Sequence, residues 1–536
     1  MPRQTLLAVA LTALLAALLL GVGLGGYALY EPDEARHANI GREMLEAPGW
    51  RDWVTPKIGG VPYRNKPAPF YWALATSYAG FGVNERAARL VSAVAGSVTA
   101  VAVCLWAAIR WGPRTGALAG LVLVTAPEYF VLGRFVSADM MLTMWVTLGV
   151  LAVHRFAERP GRSLVPAAVA GACGLLTKGV IAPGLIAAVA LISLANTGRL
   201  RLLTPRALIA ATGTFLAVAL PWHIAAGALD PAYLHTLFVD QQWKRAMDAG
   251  RRLHARSILY YVPILLGGFF PWSALLPATI RATLSRGRRD GAVTFCAIWA
   301  ATVFAVFSLA QGKVGSYILP IFPPLALLTA RSLGLLLAGA ATASEVRLAR
   351  AGLWVVVGLL VLAPGAAIAA GAIAYGGALL PTSLSALLLW LPAAGLALLL
   401  RSGRVREAVV AAGGASVALL LVVAVLVAPP LMEVLSDVGL VRALRAVPRA
   451  DADAPLVAYH VQSPSLRFYL RRSVRLHESP EQLRRLLDEH PIVFVVTSAR
   501  HVPELLQAGP FVPWYVGPRR LLYASLPPPE PAASGP

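Results

Sequence analysis

The chain repeats one pattern along most of its length: an apolar run of about twenty residues, then a short polar loop rich in arginine. At about 1.5 Å of rise per residue, such a run crosses the ~30 Å hydrocarbon layer as a helix. Backbone inside lipid must satisfy its own hydrogen bonds, so a chain of this kind folds as a helical bundle. Hydropathy places spans near residues 5–26, 86–109, 115–132, 137–154, 164–178, 180–196, 207–225, 258–280, 291–310, 316–334, 352–374, 383–400 and 407–428, thirteen in all. Residues 68–80, with Phe70, Tyr71 and Trp72, read as an interfacial helix with aromatic anchors.

Charge sets the orientation. The net charge of +21 could suggest nucleic acid, but the arginines lie in separate short loops and form no single patch. Alternate loops hold Arg110 and Arg114; Arg155 and Arg159; Arg199, Arg201 and Arg206; Arg281, Arg286 and Arg289; Arg347 and Arg350; Arg401, Arg404 and Arg406. Basic loops mark the cytoplasmic side. The N-terminus is therefore expected inside, with an uncleaved first helix. An odd number of spans puts the C-terminal part outside, which in a bacterial cell is the periplasm. Cys104, Cys173 and Cys296 all fall in apolar runs and read as small core residues.

The five lysines, Lys57, Lys66, Lys178, Lys244 and Lys313, all fall on the external side, where positive charge is normally scarcer. They are placed to surround an anionic group such as a lipid phosphate. The chain divides into a transmembrane part over 1–430, with an external loop over 27–85, and a small α/β part over 431–526. A disordered tail follows over 527–536. In the α/β part, Leu456–Tyr459 and Ile492–Val496 read as buried strands, and Ser465–Leu470 and Ser479–Glu489 as helices.

The densest polar chemistry follows the first span. Glu31-Pro-Asp-Glu-Ala-Arg36 puts three carboxylates and an arginine where that helix leaves the membrane. Acids there are costly unless they have work or partners. Asp33 and Glu34 are the first catalytic candidates, able to deprotonate an acceptor, orient it or hold a divalent metal. Arg36, three residues from Asp33, shares its helix face. Arg42 and Glu43 read as an ion pair on that helix. Asp139, at the outer start of a span, is either a dipole-favoured residue of a first turn or a second site acid. Thr177-Lys178-Gly179 reads as a tight external turn, and Gln311–Pro320, with Lys313 and Tyr317, closes another.

Taken in order, these motifs resemble the polyprenyl-phosphate-dependent glycosyltransferases. The matching stretches are Asp33-Glu-Ala-Arg36-His-Ala-Asn-Ile-Gly-Arg42-Glu-Met44, Asn65-Lys-Pro67, Tyr71-Trp72 and Asn84-Glu-Arg-Ala-Ala-Arg89-Leu90. They continue through Leu176-Thr-Lys-Gly179, Phe270-Pro-Trp272, Lys313-Val-Gly-Ser-Tyr317 and Gln462–Leu470. Within that group the likeness is to the lipid A 4-amino-4-deoxy-L-arabinose transferases and the protein O-mannosyltransferases. It implies the C-type glycosyltransferase fold, an undecaprenyl-phosphate-linked sugar donor and reaction at the periplasmic face of the inner membrane. It also implies that Asp33 is the key carboxylate, that Asp139 supports it, and that Arg36 and Lys66 bind the lipid phosphate. One of Lys244, Arg245 or Arg256 would add a phosphate contact, with Arg245 preferred; Lys178, Lys313 and Tyr317 complete the expected phosphate set. Two positions depart from the aminoarabinose pattern: Asn65 stands where Glu is usual before the loop lysine, and His37 where Tyr is frequent. The first weakens a metal site there, leaving a divalent ion as an open cofactor and no residue assigned to it.

The implied partners are the undecaprenyl-phosphate sugar, lipid A or another envelope acceptor, and membrane lipids, with no nucleic acid and a monomeric chain. A protein hydroxyl is the alternative acceptor. A lipid-linked sugar flippase is the rival of another class, but its ionisable residues should lie mid-span and its halves should repeat. Neither feature occurs in this sequence.

Overall fold

The computed structural model describes residues 2–159, 163–243, 257–287, 289–374, 385–446, 454–477, 479–517 and 519–525. The expected contact from Lys244, Arg245 or Arg256 and the C-terminal tail lie outside them.

Every predicted span coincides with helix, but not every one is a straight crossing. Among the described residues, eight helices are long and apolar enough to span a membrane, and two bent pairs raise the number to ten. The bends fall between Pro113–Val124 and Pro127–Gly133 (71°) and between Ile258–Gly268 and Trp272–Arg286 (107°). Pro127 and Pro271 sit at these breaks, where a ring without an N–H cannot continue the ladder. Three more apolar helices, Val165–Lys178, Ile181–Asn196 and Ala386–Arg401, are shorter than a full crossing. Of the thirteen expected spans, each near twenty residues, ten thus coincide with helices or bent pairs long enough to cross, and three with these shorter helices. Apolar composition locates a helix but does not reveal where it bends or stops short.

The loops sort to two ends. At one end Arg110 pairs with Glu158 at 2.7 Å, and Arg199 donates to the Ala157 carbonyl at 2.8 Å. There too Trp111 donates to Asp290 at 3.0 Å, Arg331 approaches Asp290 at 3.6 Å, and Arg286 pairs with Glu345. These are the arginine loops of the alternating pattern. The other end carries the loop after the first helix, which has its own apolar core of Leu29, Ala35, Ile40, Phe70, Tyr71, Tyr78 and Trp222. The helix Pro69–Phe81 packs inward through Phe70, Tyr71 and Tyr78 and leaves Phe81 exposed.

Beyond the last long apolar helix, Leu456–Tyr459, Arg475–His477, Phe494–Thr497, Val512–Val516 and Leu521–Ala524 form a five-stranded mixed sheet. The first strand lies between the second and third and runs parallel to both. The helices Val438–Arg445 and Pro464–Leu470 cover one face, and Pro480–Glu489 and Val502–Ala508 the other. Two strands and two helices here were legible as runs. Three strands were not read: Arg475–His477 is three residues long and mostly exposed, Val512–Val516 is interrupted by Pro513 and only partly buried, and Leu521–Ala524 is only four residues long.

Candidate active site

The helix Asp33–Glu46 organises the site. Its first turn carries Asp33 and Glu34, which its N-terminal dipole favours. One turn brings Arg36 beside Asp33, with Nη1 2.9 Å from Oδ1. The Asp33 side chain is two-thirds exposed and the guanidinium mostly covered, 66% against 23%. The acid therefore faces solvent and the arginine lies beneath it.

Glu34 has a different job from the catalytic one expected. Its carboxylate is completely buried and receives both Nε and Nη2 of Arg89, at 2.7 and 2.9 Å. It also accepts from the backbone N–H of Tyr30 at 2.8 Å and of Val136 at 3.2 Å. Arg89 donates in turn to the carbonyls of Leu24, Tyr27 and Ala28, each at 2.9 Å. Oxygens so fully engaged have no room for an acceptor, so we assign Glu34 to the scaffold that closes the exit of the first helix. The expected Arg42–Glu43 pair is also absent, because neighbours in sequence diverge on a helix. Arg42 pairs with Glu46 at 3.0 Å, while Glu43 accepts from the Gly59 N–H at 2.8 Å and steadies the hairpin of Lys57–Ile58 and Val61–Pro62.

His37 reports the charge of the site. It is buried against Tyr71, with Nδ1 2.9 Å from the hydroxyl. Burial first, then the charges of Lys66, Arg36 and Lys178, push its pKa down to about 3. Three predicted phosphate ligands from three separate chain segments thus act on one imidazole. Lys66 is placed through its backbone, whose carbonyl accepts from the Tyr233 hydroxyl at 2.5 Å. Beside it Arg64 forms a two-pronged pair with Asp230, at 2.6 and 3.2 Å.

Lys178, the last residue of Val165–Lys178, forms an ion pair with Asp139 and lies 4.1 Å from the Tyr317 ring centre. Ser316 donates to the other Asp139 oxygen at 3.1 Å. Asp139 starts its helix behind a Ser137 cap. Asp139 is thus the first-turn acid of its helix, and its carboxylate holds Lys178 and Ser316. Lys313 is buried, and its Nζ donates to the Ala310 carbonyl. Among the described residues no three His, Cys, Asp or Glu side chains converge as a metal-ligand set.

Sequence reasoning passed over Ser316, whose neighbours Lys313 and Tyr317 drew attention first. It also passed over the work of Glu31. This carboxylate is buried, and its Oε1 accepts from the Ser465 N–H at 2.6 Å. Burial, reinforced by nearby Asp437, raises its pKa to about 8.

The cluster of cations and acids sits at one end of a bundle of straight, bent and short apolar helices whose fold is that of a solved glycosyltransferase of the C type. Residues 6–237 match the family pattern of dolichyl-phosphate-mannose-protein mannosyltransferases. The chain is 34% identical over 318 residues to the undecaprenyl phosphate-alpha-4-amino-4-deoxy-L-arabinose arabinosyl transferase of Pseudomonas aeruginosa (strain LESB58), covering 58% of this chain and 57% of the relative. It is 31% identical over 364 residues to the transferase of the same name from Pectobacterium atrosepticum, covering 65% and 63%. The aligned region thus spans little more than half the length of these curated relatives. In three dimensions the likeness reaches much further. The crystal structure of ArnT from Cupriavidus metallidurans bound to undecaprenyl phosphate superposes with a TM-score of 0.78 over 97% of this chain and 98% of that one, at 23% identity.

Proposed function

We propose that this protein transfers a sugar from an undecaprenyl-phosphate-linked donor to an envelope acceptor at the outer face of the membrane. The favoured sugar is 4-amino-4-deoxy-L-arabinose and the favoured acceptor lipid A. The observation that carries the reading is the pair of fixed cations at this end of the bundle, Arg36 held by Asp33 and Lys178 held by Asp139 and the Tyr317 ring, with Lys66 acting alongside them on the charge of His37. Such a cluster suits a leaving group that departs as a lipid phosphate, because fixed cations stabilise the charge it develops. The P. aeruginosa and P. atrosepticum relatives support the lipid donor and the sugar.

In this reading Arg36, Lys66 and Lys178 hold the phosphate, and the Tyr317 ring and Asp139 hold Lys178. Asp33, exposed at the helix start, faces the acceptor. With a hydroxyl acceptor it takes the proton. With an already ionised phosphate it orients the acceptor or stabilises the cationic sugar of the transition state. Protein O-glycosylation is the second reading, favoured by the family pattern over residues 6–237.

The test uses the purified full chain with its lipid-linked donor, offered lipid A or a periplasmic protein extract, and reads products by mass spectrometry. Asp33→Asn should lower transfer at least ~10²-fold, the scale of general-base contributions, and leave undecaprenyl phosphate binding within about threefold. Lys66→Ala should weaken that binding. Full turnover in both variants would overturn the site, and sugar appearing only on protein would select the second reading.

A further inference from the structure

The segment after the strand Leu456–Tyr459 of the C-terminal sheet does more than pack. Val461–Leu470 lies on the external loop and meets it at four points. The Ser465 N–H donates to Glu31 Oε1 at 2.6 Å. The Leu29 N–H donates to the Tyr469 hydroxyl at 2.9 Å. Phe468 is buried in the apolar core of the loop, against Tyr78 at 6.4 Å between ring centres. Finally, Arg36 Nη2 donates to Gln462 Oε1 at 2.9 Å.

The last contact bears on chemistry. Arg36 is gripped on two sides, by Asp33 through Nη1 and by Gln462 through Nη2. A guanidinium has five N–H donors in a rigid fork, so two fixed bonds set its plane and leave the other donors to the neighbouring Tyr63 hydroxyl and a ligand. The partner type matters as well. Asp33 already lends Arg36 one negative charge. A second carboxylate at 462 would neutralise the cation and compete with a phosphate, whereas an amide oxygen orients it and leaves its charge in place.

We propose that the C-terminal unit completes the donor-phosphate site, with Gln462 as the positioning residue that aims Arg36 and with Glu31–Ser465 and Leu29–Tyr469 seating the segment that carries it. The inference rests on the reading of Arg36 as a phosphate ligand. A membrane half lacking this segment would keep its cations but lose the aim of one of them.

The experiment measures binding of undecaprenyl phosphate and donor KM and kcat on the full-length protein in detergent. Gln462 is exposed, so its replacement should leave thermal unfolding unchanged. Gln462→Ala should raise the donor KM about tenfold with kcat within about twofold, since a hydrogen bond to a charged group is worth roughly one such factor. Gln462→Glu should be worse than alanine. In an Arg36→Ala background, Gln462→Ala should add nothing. If Arg36→Ala weakens lipid binding but neither Gln462 variant moves KM, the positioning role is wrong and the phosphate site stands. Independent, additive losses in the double variant would also overturn it. If Arg36→Ala itself leaves binding unchanged, the reading beneath it fails first.

Discussion

At the scale of single residues, the adjacent acids Asp33 and Glu34 look equivalent in sequence, and burial separates them. Glu34 and Arg89 are both completely buried, and a buried pair that loses one partner leaves a charge without compensation. Glu34→Gln should therefore cost about 3–5 kcal/mol of stability, seen as lower yield and melting temperature, whereas Asp33→Asn should melt like the parent. Equal stabilities would refute the division. His37 gives a second contrast. Its folded-state pKa of about 3 lies below its ordinary value of 6.5. Its contribution to stability is complete above about pH 6.5 and drains away as pH falls toward 3, because only the unfolded chain then binds a proton there. His37→Gln should flatten that acid limb in thermal unfolding scans, and an unaltered slope would mean the ring is already protonated in the fold. The acids, the arginine and the lysines of the site were legible from residue type and position. Glu34 was misread because its partner Arg89 lies 55 residues away, and no local pattern announces such a pair.

At the scale of elements, hydropathy found every helix of the bundle but could not tell a long span from a short one. The pair Val165–Lys178 and Ile181–Asn196 shows why. Both are apolar throughout, and only the tight turn between them shows that the chain doubles back. That turn positions Lys178, and its next residue, Gly179, sits at φ 87°, ψ −158°, a region reserved almost entirely for glycine. Gly179→Ala should cost roughly 1–3 kcal/mol in strain. It should also weaken undecaprenyl phosphate binding, because the strain is relieved most readily by shifting the lysine beside it. Alanine tolerated with parental melting and binding would show that the helix end, and not the turn, fixes Lys178. The Thr-Lys-Gly sequence made the turn legible. The bond from Ser316 to Asp139 was not, since it joins helices 177 residues apart.

At the scale of the whole molecule, the arrangement is two charged ends with unlike chemistry. One gathers the arginine loops into pairs with Glu158, Asp290 and Glu345, and the other gathers Lys66, Lys178, Asp33, Asp139 and the C-terminal sheet. This segregation is what alternating basic loops require if each helix crosses once, and the short helices keep it by returning to the end they left. The direction of the whole assembly in the membrane follows from the same charges. Basic short loops are expected in the cytoplasm, and on that rule the end with the candidate site is expected outside. The three free cysteines, Cys104, Cys173 and Cys296, can be replaced to give a silent background. A single cysteine at position 500, in the C-terminal unit, should then react with a membrane-impermeant maleimide in intact spheroplasts. One at position 289, in an arginine loop, should react only after permeabilisation. The reverse labelling would place the candidate site in the cytoplasm. There a donor on the outer leaflet could not reach it, and the proposed reaction would lose its substrate.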